Sequence, residues 1–169
     1  MKTIEKRLNF IYYFLIIIIL NSCSISNDTD DYFEKPINQS LIDLNNWEMT
    51  EDILSIIKNH RVALGQMELQ KDTTYATTYA INHTKYMINR NELSHTNFFI
   101  RKERLLEKGA TYVAENLAYG FTSAESVVNA WLNSINHKQV IEGDYTHVGF
   151  GIMKSDQNDK YYFTTLFYK

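Results

Sequence analysis

Two histidines and one glutamate are the residues whose types suggest chemistry: His95, Glu115 and His137. Two imidazoles and one carboxylate form a ligand set that zinc accepts, with a fourth position open for water. The carboxylate could instead be the base that takes a proton from that water. The three residues lie 20 and 22 positions apart, so no local rule brings them together. Three unrelated polar residues are therefore the alternative interpretation.

The surroundings of these residues separate them from the other histidines. Glu115 lies in the segment AENLAYG (114–120), where a carboxylate and an amide stand among small and apolar residues before a glycine. His60 and His83 fall on apolar helix faces, where a hydrogen-bonded core or boundary histidine is the usual interpretation. His147 is interpreted as a satisfied edge histidine of a strand, and a role in the cleft is its alternative.

Helical spacing and capping residues predict four helices. The first is capped by Thr50 and runs to Gly65, and the second follows Asp72 and fades at residues 89–91. The third covers Phe98–Lys108, and Ser123 caps the fourth.

These elements would position the three candidate residues at loops. His95 follows the second helix, Glu115 lies between elements, and His137 comes just after the fourth helix. Loops that follow regular elements often gather around a cleft.

The C-terminal part has the period of strands. Val148, Phe150 and Ile152 alternate with other residues up to position 154, and residues 161–168 are aromatic and β-branched. This pattern predicts a β-hairpin. Helices first and strands last, without βαβ alternation, predict an α+β fold in which helices pack on a small antiparallel sheet.

The N-terminus predicts export and a lipid anchor. Lys2, Lys6 and Arg7 precede the apolar run Phe10–Leu20, which is too short to span a bilayer. Cys23, the only cysteine, follows this run directly in a sequence that resembles the bacterial lipobox. We therefore predict a lipoprotein signal peptide over residues 1–22 and lipidation of Cys23, which would hold the protein on a membrane. An ordinary secretory signal with an unmodified cysteine is the alternative.

The rest of the chain is predicted to hold one domain. Residues 23–46 are polar and read as the lipidated cysteine and a disordered linker, and residues 47–169 as the domain. Removal of residues 1–22 leaves 14 basic against 19 acidic side chains, a net charge of −5. Because no basic stripe is present, we expect no nucleic-acid partner. With Cys23 lipidated, disulfides and thiol chemistry are excluded.

A series of segments resembles one known family. IIKNHR (56–61), SH (94–95), AENLAYG (114–120), AWLNSINHK (130–138) and YTHVGFG (145–151) precede an aromatic terminal strand. Their order and spacing over about residues 48–169 resemble the bacterial branch of the CAP superfamily. This is the SCP-like extracellular domain of cysteine-rich secretory, antigen 5 and pathogenesis-related proteins.

The resemblance implies an α-β-α sandwich with a central cleft lined by two histidines and two acidic residues. The cleft histidines match His95 and His137, and the Glu-Asn motif matches Glu115 and Asn116. The second acid is replaced by Ser134, a poor metal ligand, and the turn before His137 lacks the family's Pro and Gly. In some members the cleft binds a divalent metal, so one cation, zinc or magnesium, is the cofactor that the resemblance implies, bound here by His95 and His137.

Three functions follow from this reading. The first is a membrane-anchored, extracytoplasmic binding module for an apolar or envelope-derived ligand, since some CAP proteins bind sterols or other lipids. Five aromatic residues could supply an apolar wall: Phe98, Phe99, Tyr112, Tyr119 and Phe121. The alternative is a metal-dependent peptidase or cell-wall hydrolase, with His95 and His137 on the metal and Glu115 as the base. A structural protein whose polar cluster only fixes loops is the third.

Overall fold

The computed structural model describes residues 39–169, which form six helices and four strands. In chain order they are α1 (Gln39–Asp43), α2 (Trp47–Ala63), β1 (Gln70–Lys71), α3 (Tyr75–Arg90), α4 (Phe98–Glu107), β2 (Val113–Tyr119), α5 (Ala124–Leu132), α6 (Ile135–Ile141), β3 (His147–Lys154) and β4 (Tyr161–Tyr168).

The four predicted helices are present, and the first begins earlier than expected. The side chain of Asn46 accepts the backbone N–H of Met49 at 3.0 Å, so Asn46 caps α2. Thr50, the predicted cap, is buried inside the helix and donates its hydroxyl to the carbonyl of Asn46. Ser123 caps α5 as expected, and it exchanges hydrogen bonds with Ser126 in a capping box.

The strands form one sheet in the order β1-β3-β4-β2. The predicted hairpin is β3 and β4, which pair antiparallel along their whole length. β2 adds antiparallel to β4, and the two-residue β1 adds parallel to β3. The sheet is therefore mixed, not wholly antiparallel as predicted, because β1 reaches β3 from the end of α2.

Strand β2 was predicted to be a loop, and this prediction is wrong. Its central residues 115–118 are all buried, so the segment lacks the alternation of polar and apolar residues that predicts a strand. Glu and Asn are also uncommon in strands. Pairing with β4, from Val113 opposite Tyr168 to Tyr119 opposite Tyr162, makes the segment a strand.

Helices cover both faces of the sheet. On one face, α3 lies so close to β3 that an added Cβ on Gly149 or Gly151 would lie 2.3 Å from its backbone. On the other face, Phe150 and Ile152 of β3 pack in one cluster with Ile57 of α2 and Trp131 of α5. The α-β-α sandwich implied by the family resemblance is therefore confirmed.

The folded part begins before residue 47, where the sequence placed the domain boundary. Residues 39–43 form α1, and Leu41 packs against the cluster that contains Ile81 and Met153. Asn45 is 4% exposed, and its side chain accepts the N–H of Ile152 at 2.7 Å. Residues 39–46 therefore belong to the domain, because they complete hydrogen bonds at the end of β3 that a disordered linker could not make.

Several N-terminal predictions lie outside the described residues. These are the signal peptide over residues 1–22, lipidation of Cys23 and the linker as far as residue 38. Among residues 39–169, no helix combines the length and apolar character needed to cross a bilayer.

Candidate functional site

Glu115 lies in the middle of β2 and is held by a buried arginine. Its side chain is 1% exposed, and the side chain of Arg101 on α4 is fully buried. Arg101 donates through Nε to Oε2 and through Nη2 to Oε1, each at 2.8 Å. This two-point pairing fixes the plane of the carboxylate and compensates its buried charge.

His95 lies in the loop between α3 and α4, as predicted, and contacts the same carboxylate. Its Nδ1 is 2.8 Å from Oε1 of Glu115. A carboxylate only accepts hydrogen bonds, so Nδ1 carries the proton and donates it. The side chain of His95 is 57% exposed. The buried carboxylate therefore orients an imidazole whose other nitrogen, Nε2, is not used by Glu115.

His83 connects this pair to α3. Arg101 donates through Nη1 to Nδ1 of His83 at 3.0 Å, so Nδ1 is an acceptor and Nε2 carries the proton. Nε2 donates to the carbonyl of Ser94 at 2.7 Å. Burial, followed by the charge of Arg101, lowers the pKa of His83 to about 4. His83 is therefore neutral at neutral pH and fixes the backbone directly before His95.

His137 approaches β2 from the other side. It was predicted to follow the fourth helix, but it lies inside α6, a separate short helix that begins after Ser134. Nδ1 of His137 is 2.9 Å from the hydroxyl of Ser134. Burial and the neighbouring His95 lower the pKa of His137, which favours the neutral imidazole.

Asn116 anchors α6 to the strand. Successive side chains of a strand point to opposite faces, so Asn116 points away from the face of Glu115. Its Nδ2 donates to the backbone carbonyl of His137 at 3.0 Å, and its side chain is fully buried. Asn116 therefore fixes the backbone of His137 against this face of the sheet, and it offers no exposed surface to a ligand.

The edge position of β2 brings the two histidines together. β2 is last in the strand order, with Arg101 and His95 on one face and α6 on the other. Across this edge, His95 and His137 are close enough for their charges to interact. The structure thus gathers His95, Glu115, Ser134 and His137, and it leaves His60 and His147 elsewhere.

Those two histidines have partners of their own. Nε2 of His60 lies 2.8 Å from a carboxylate oxygen of Glu142. His147 is 2.8 Å from the hydroxyl of Thr146 and stacks on Tyr168, with ring centroids 4.8 Å apart. Both match the interpretation of histidines satisfied within the fold.

The donor set does not fit a catalytic zinc site. Within residues 39–169, no group of three or more His, Cys, Asp or Glu side chains is placed to hold a metal ion. Both oxygens of Glu115 are bonded to Arg101, so two imidazoles are what remains at the cleft. Catalytic zinc takes three protein ligands, and magnesium prefers oxygen. The predicted cation at His95 and His137 stays a prediction, with only two imidazoles to hold it.

The predicted aromatic wall is partly exposed. Phe99 is 62% exposed, Tyr112 68% and Tyr119 40%. Phe98 packs against the cluster of α3 and α4, and Phe121 packs against the main core. Three of the five aromatic residues therefore remain accessible to an apolar ligand.

Arg101 was missed in the sequence, although a signal was present. It shares the apolar stripe of α4 with Phe98 and Leu105, at spacings of three and four residues. A charged residue on such a stripe is almost never buried without a partner. A buried arginine on this stripe predicts a carboxylate on the element that packs against α4, and in the structure that carboxylate is Glu115.

Comparisons with known proteins agree with this architecture. The family described as "CAP: Cysteine-rich secretory protein family" matches residues 54–167. A Bacillus subtilis (strain 168) protein named "Uncharacterized membrane protein YlbC" is 32% identical over 124 residues, which are 70% of this chain and 34% of that protein. The chain therefore spans about a third of the length of this curated relative.

Two solved structures share the fold. An outer surface protein from Borrelia burgdorferi is 25% identical with a TM-score of 0.65, and the match covers 72% of this chain and 92% of that one. An extracellular protein with an SCP domain from Bacillus anthracis str. Ames is 21% identical with a TM-score of 0.63, covering 80% and 45%. Since the family match covers most of the sandwich and includes every residue of the cleft, this chain belongs to the CAP family.

Proposed function

We propose that the protein is an extracytoplasmic CAP domain, held on a membrane through lipidated Cys23, whose cleft binds an envelope-derived ligand without cleaving it. The relatives support the location, since one is named a membrane protein, one an outer surface protein and one an extracellular protein. The signal-like N-terminus supports the anchor.

Glu115 is buried and both of its oxygens are hydrogen-bonded, and this observation favours binding over hydrolysis. A general base must present a free lone pair within hydrogen-bond reach of the proton that it takes. The side chain of Glu115 is 1% exposed, and its oxygens already accept bonds from Arg101 and His95. A ligand in the cleft therefore meets the imidazoles and not the carboxylate.

The cleft can recognise polar and apolar groups together. Nε2 of His95 is available to a ligand, and neutral His137 lies beside it. Phe99 lies on α4, four residues after His95, and is 62% exposed. A few polar groups beside exposed aromatic surface are typical of ligand sites.

The test uses two probes, a soluble muropeptide mixture and a micellar short-chain phospholipid. We expect one of them to shift the imidazole NMR signals of His95 and His137, and its mass to be unchanged after long incubation. His95→Ala should abolish the binding, and the matched control His147→Ala should preserve it. Imidazole signals that neither probe shifts, or cleavage of a probe, would overturn the proposal.

One observation favours a hydrolase as the second candidate. A buried carboxylate that orients an imidazole through Nδ1 is also the arrangement that prepares a histidine as a general base. In that case His95, and not Glu115, would take the proton. Muropeptide cleavage that is lost in both His95→Ala and Glu115→Gln would support this function.

A further inference from the structure

The outer edge of β2 presents unpaired backbone groups to the cleft. Gly120 donates its N–H to Tyr161, and Lys169 donates to the carbonyl of Tyr112. These pairs continue the register of β2 with β4. The backbone N–H and C=O groups of the even-numbered residues of β2 therefore point toward β4. In an antiparallel pair, the alternate residues point their N–H and C=O groups the other way. Val113 and Glu115 therefore direct theirs away from the sheet.

Exposure at Glu115 agrees with this direction. The whole residue is 8% exposed, whereas its side chain is 1% exposed. Almost all of its accessible surface therefore belongs to the backbone. No hydrogen bond to the N–H or C=O of Glu115 is formed from this side within residues 39–169.

A tryptophan marks where the open edge ends. The indole Nε1 of Trp131 donates to the carbonyl of Leu117 at 3.0 Å, which is the next outward-facing carbonyl along β2. The open stretch therefore covers Val113 to Glu115 and runs out toward Tyr112, which is 68% exposed. Its length matches about three residues of an extended chain, at about 3.4 Å per residue.

Imidazoles flank this stretch. His95 is bonded to the side chain of Glu115 on one face, and α6 carries His137 on the other, where Asn116 holds its carbonyl. A chain lying along the edge would place alternate side chains on these two faces. The edge thus forms the floor of the proposed ligand cleft.

We propose that the cleft binds an extended peptide segment of another molecule, which pairs with the outward N–H and C=O groups of Val113 and Glu115. A chain with alternating amide donors and acceptors satisfies both kinds of group at this spacing, as in strand addition to a sheet edge. The inference rests on the proposed function and specifies the class of its ligand. Side chains of the peptide would contact His95 and His137.

Backbone hydrogen exchange in the whole protein tests this pairing. The probe is an acetylated and amidated tetrapeptide of alternating alanine and valine, and the control is the same peptide N-methylated at two successive residues. N-methylation at both positions removes one pairing donor in either register. We expect the probe to slow exchange at the amides of Val113 and Glu115 by about tenfold or more. Ala114 and Asn116, which already face β4, should not change.

A proline variant provides the matched test on the protein. Val113→Pro removes an outward donor and no bond to β4, and an edge strand tolerates such a proline. It should weaken probe binding about tenfold in protein that its melting curve shows to be folded. Equal protection at odd and even positions, or equal effects of the N-methylated peptide, would refute the pairing. Protection that depends on protein concentration and not on the probe would indicate a second copy at the edge and also refute it.

These outcomes are separable from failure of the proposed function. If muropeptides or phospholipid shift the imidazoles of His95 and His137 but the peptide protects no outward amide, the cleft binds a ligand that is not an extended peptide. If no probe affects the imidazoles, the binding cleft itself is refuted.

Discussion

Acid should destabilise the protein through His83. His83 is 1% exposed, and its neutral ring accepts a hydrogen bond from Arg101 and donates one to the carbonyl of Ser94. The folded state lowers its pKa from 6.5 to about 4, so the unfolded chain binds a proton in this range that the folded chain does not. Stability is then full above pH 6.5 and is lost as pH falls toward 4. At 1.36 kcal/mol per pKa unit, the loss is about 3 kcal/mol.

The assay is urea unfolding between pH 7 and pH 4 for three proteins. His83→Gln keeps a donor toward Ser94 and has no group that titrates in this range, so its stability should fall less than that of the wild type by up to about 3 kcal/mol. His147→Gln, a change outside the network, should keep the wild-type slope. Parallel curves for wild type and His83→Gln, or an NMR titration of the His83 ring near 6.5, would refute the reasoning.

Three further predictions concern charge, packing and metal. Arg101→Met leaves the buried charge of Glu115 uncompensated and should lower the free energy of unfolding in urea by about 3 to 5 kcal/mol. The double variant Arg101→Met with Glu115→Gln should recover part of this loss, and equal stability of the single and double variants would contradict the prediction. Gly151→Ala places a Cβ 2.3 Å from a backbone carbonyl of α3 and should cost at least about 1 to 3 kcal/mol, so an unchanged melting temperature would show that α3 can move. Zinc should bind weakly, because only two imidazoles would hold it, and the heat of zinc binding in calorimetry should disappear in both His95→Ala and His137→Ala. Binding heat that persists in either variant would place the metal elsewhere.

Arg101 changes what the acidic residue of the cleft can do. In the sequence, Glu115 is a free carboxylate beside two histidines, suited to bind a metal or to act as a base. In the fold, a fully buried guanidinium takes both of its oxygens, and the carboxylate acts on His95 alone. The cation that pairs with Glu115 is thus the guanidinium of Arg101.

Local patterns predicted the elements that carry strong local signals. α3 and α4 start and stop, and α5 starts, where apolar spacing, Asp72, Gly109 and Ser123 indicated, because caps and helix faces are properties of a few neighbouring residues. α5 ends at Leu132, before Ile135, which the apolar spacing had included and which begins α6. The hairpin of β3 and β4 was equally clear from its alternation. β2 was not, because its identity as a strand depends on β4, which lies about 50 positions later in the chain.

Periodicity predicted helices packed on a small sheet, and the family resemblance implied the α-β-α layers and a cleft with His95, Glu115 and His137. Both signals are carried by short segments of the chain. The contacts of these residues became clear from the fold. It placed His95 and His137 across one sheet edge, and it paired Glu115 with Arg101, which lies 14 positions earlier on a different element. The reason is that a buried charge takes its role from its partner in space, and chain spacing does not specify that partner.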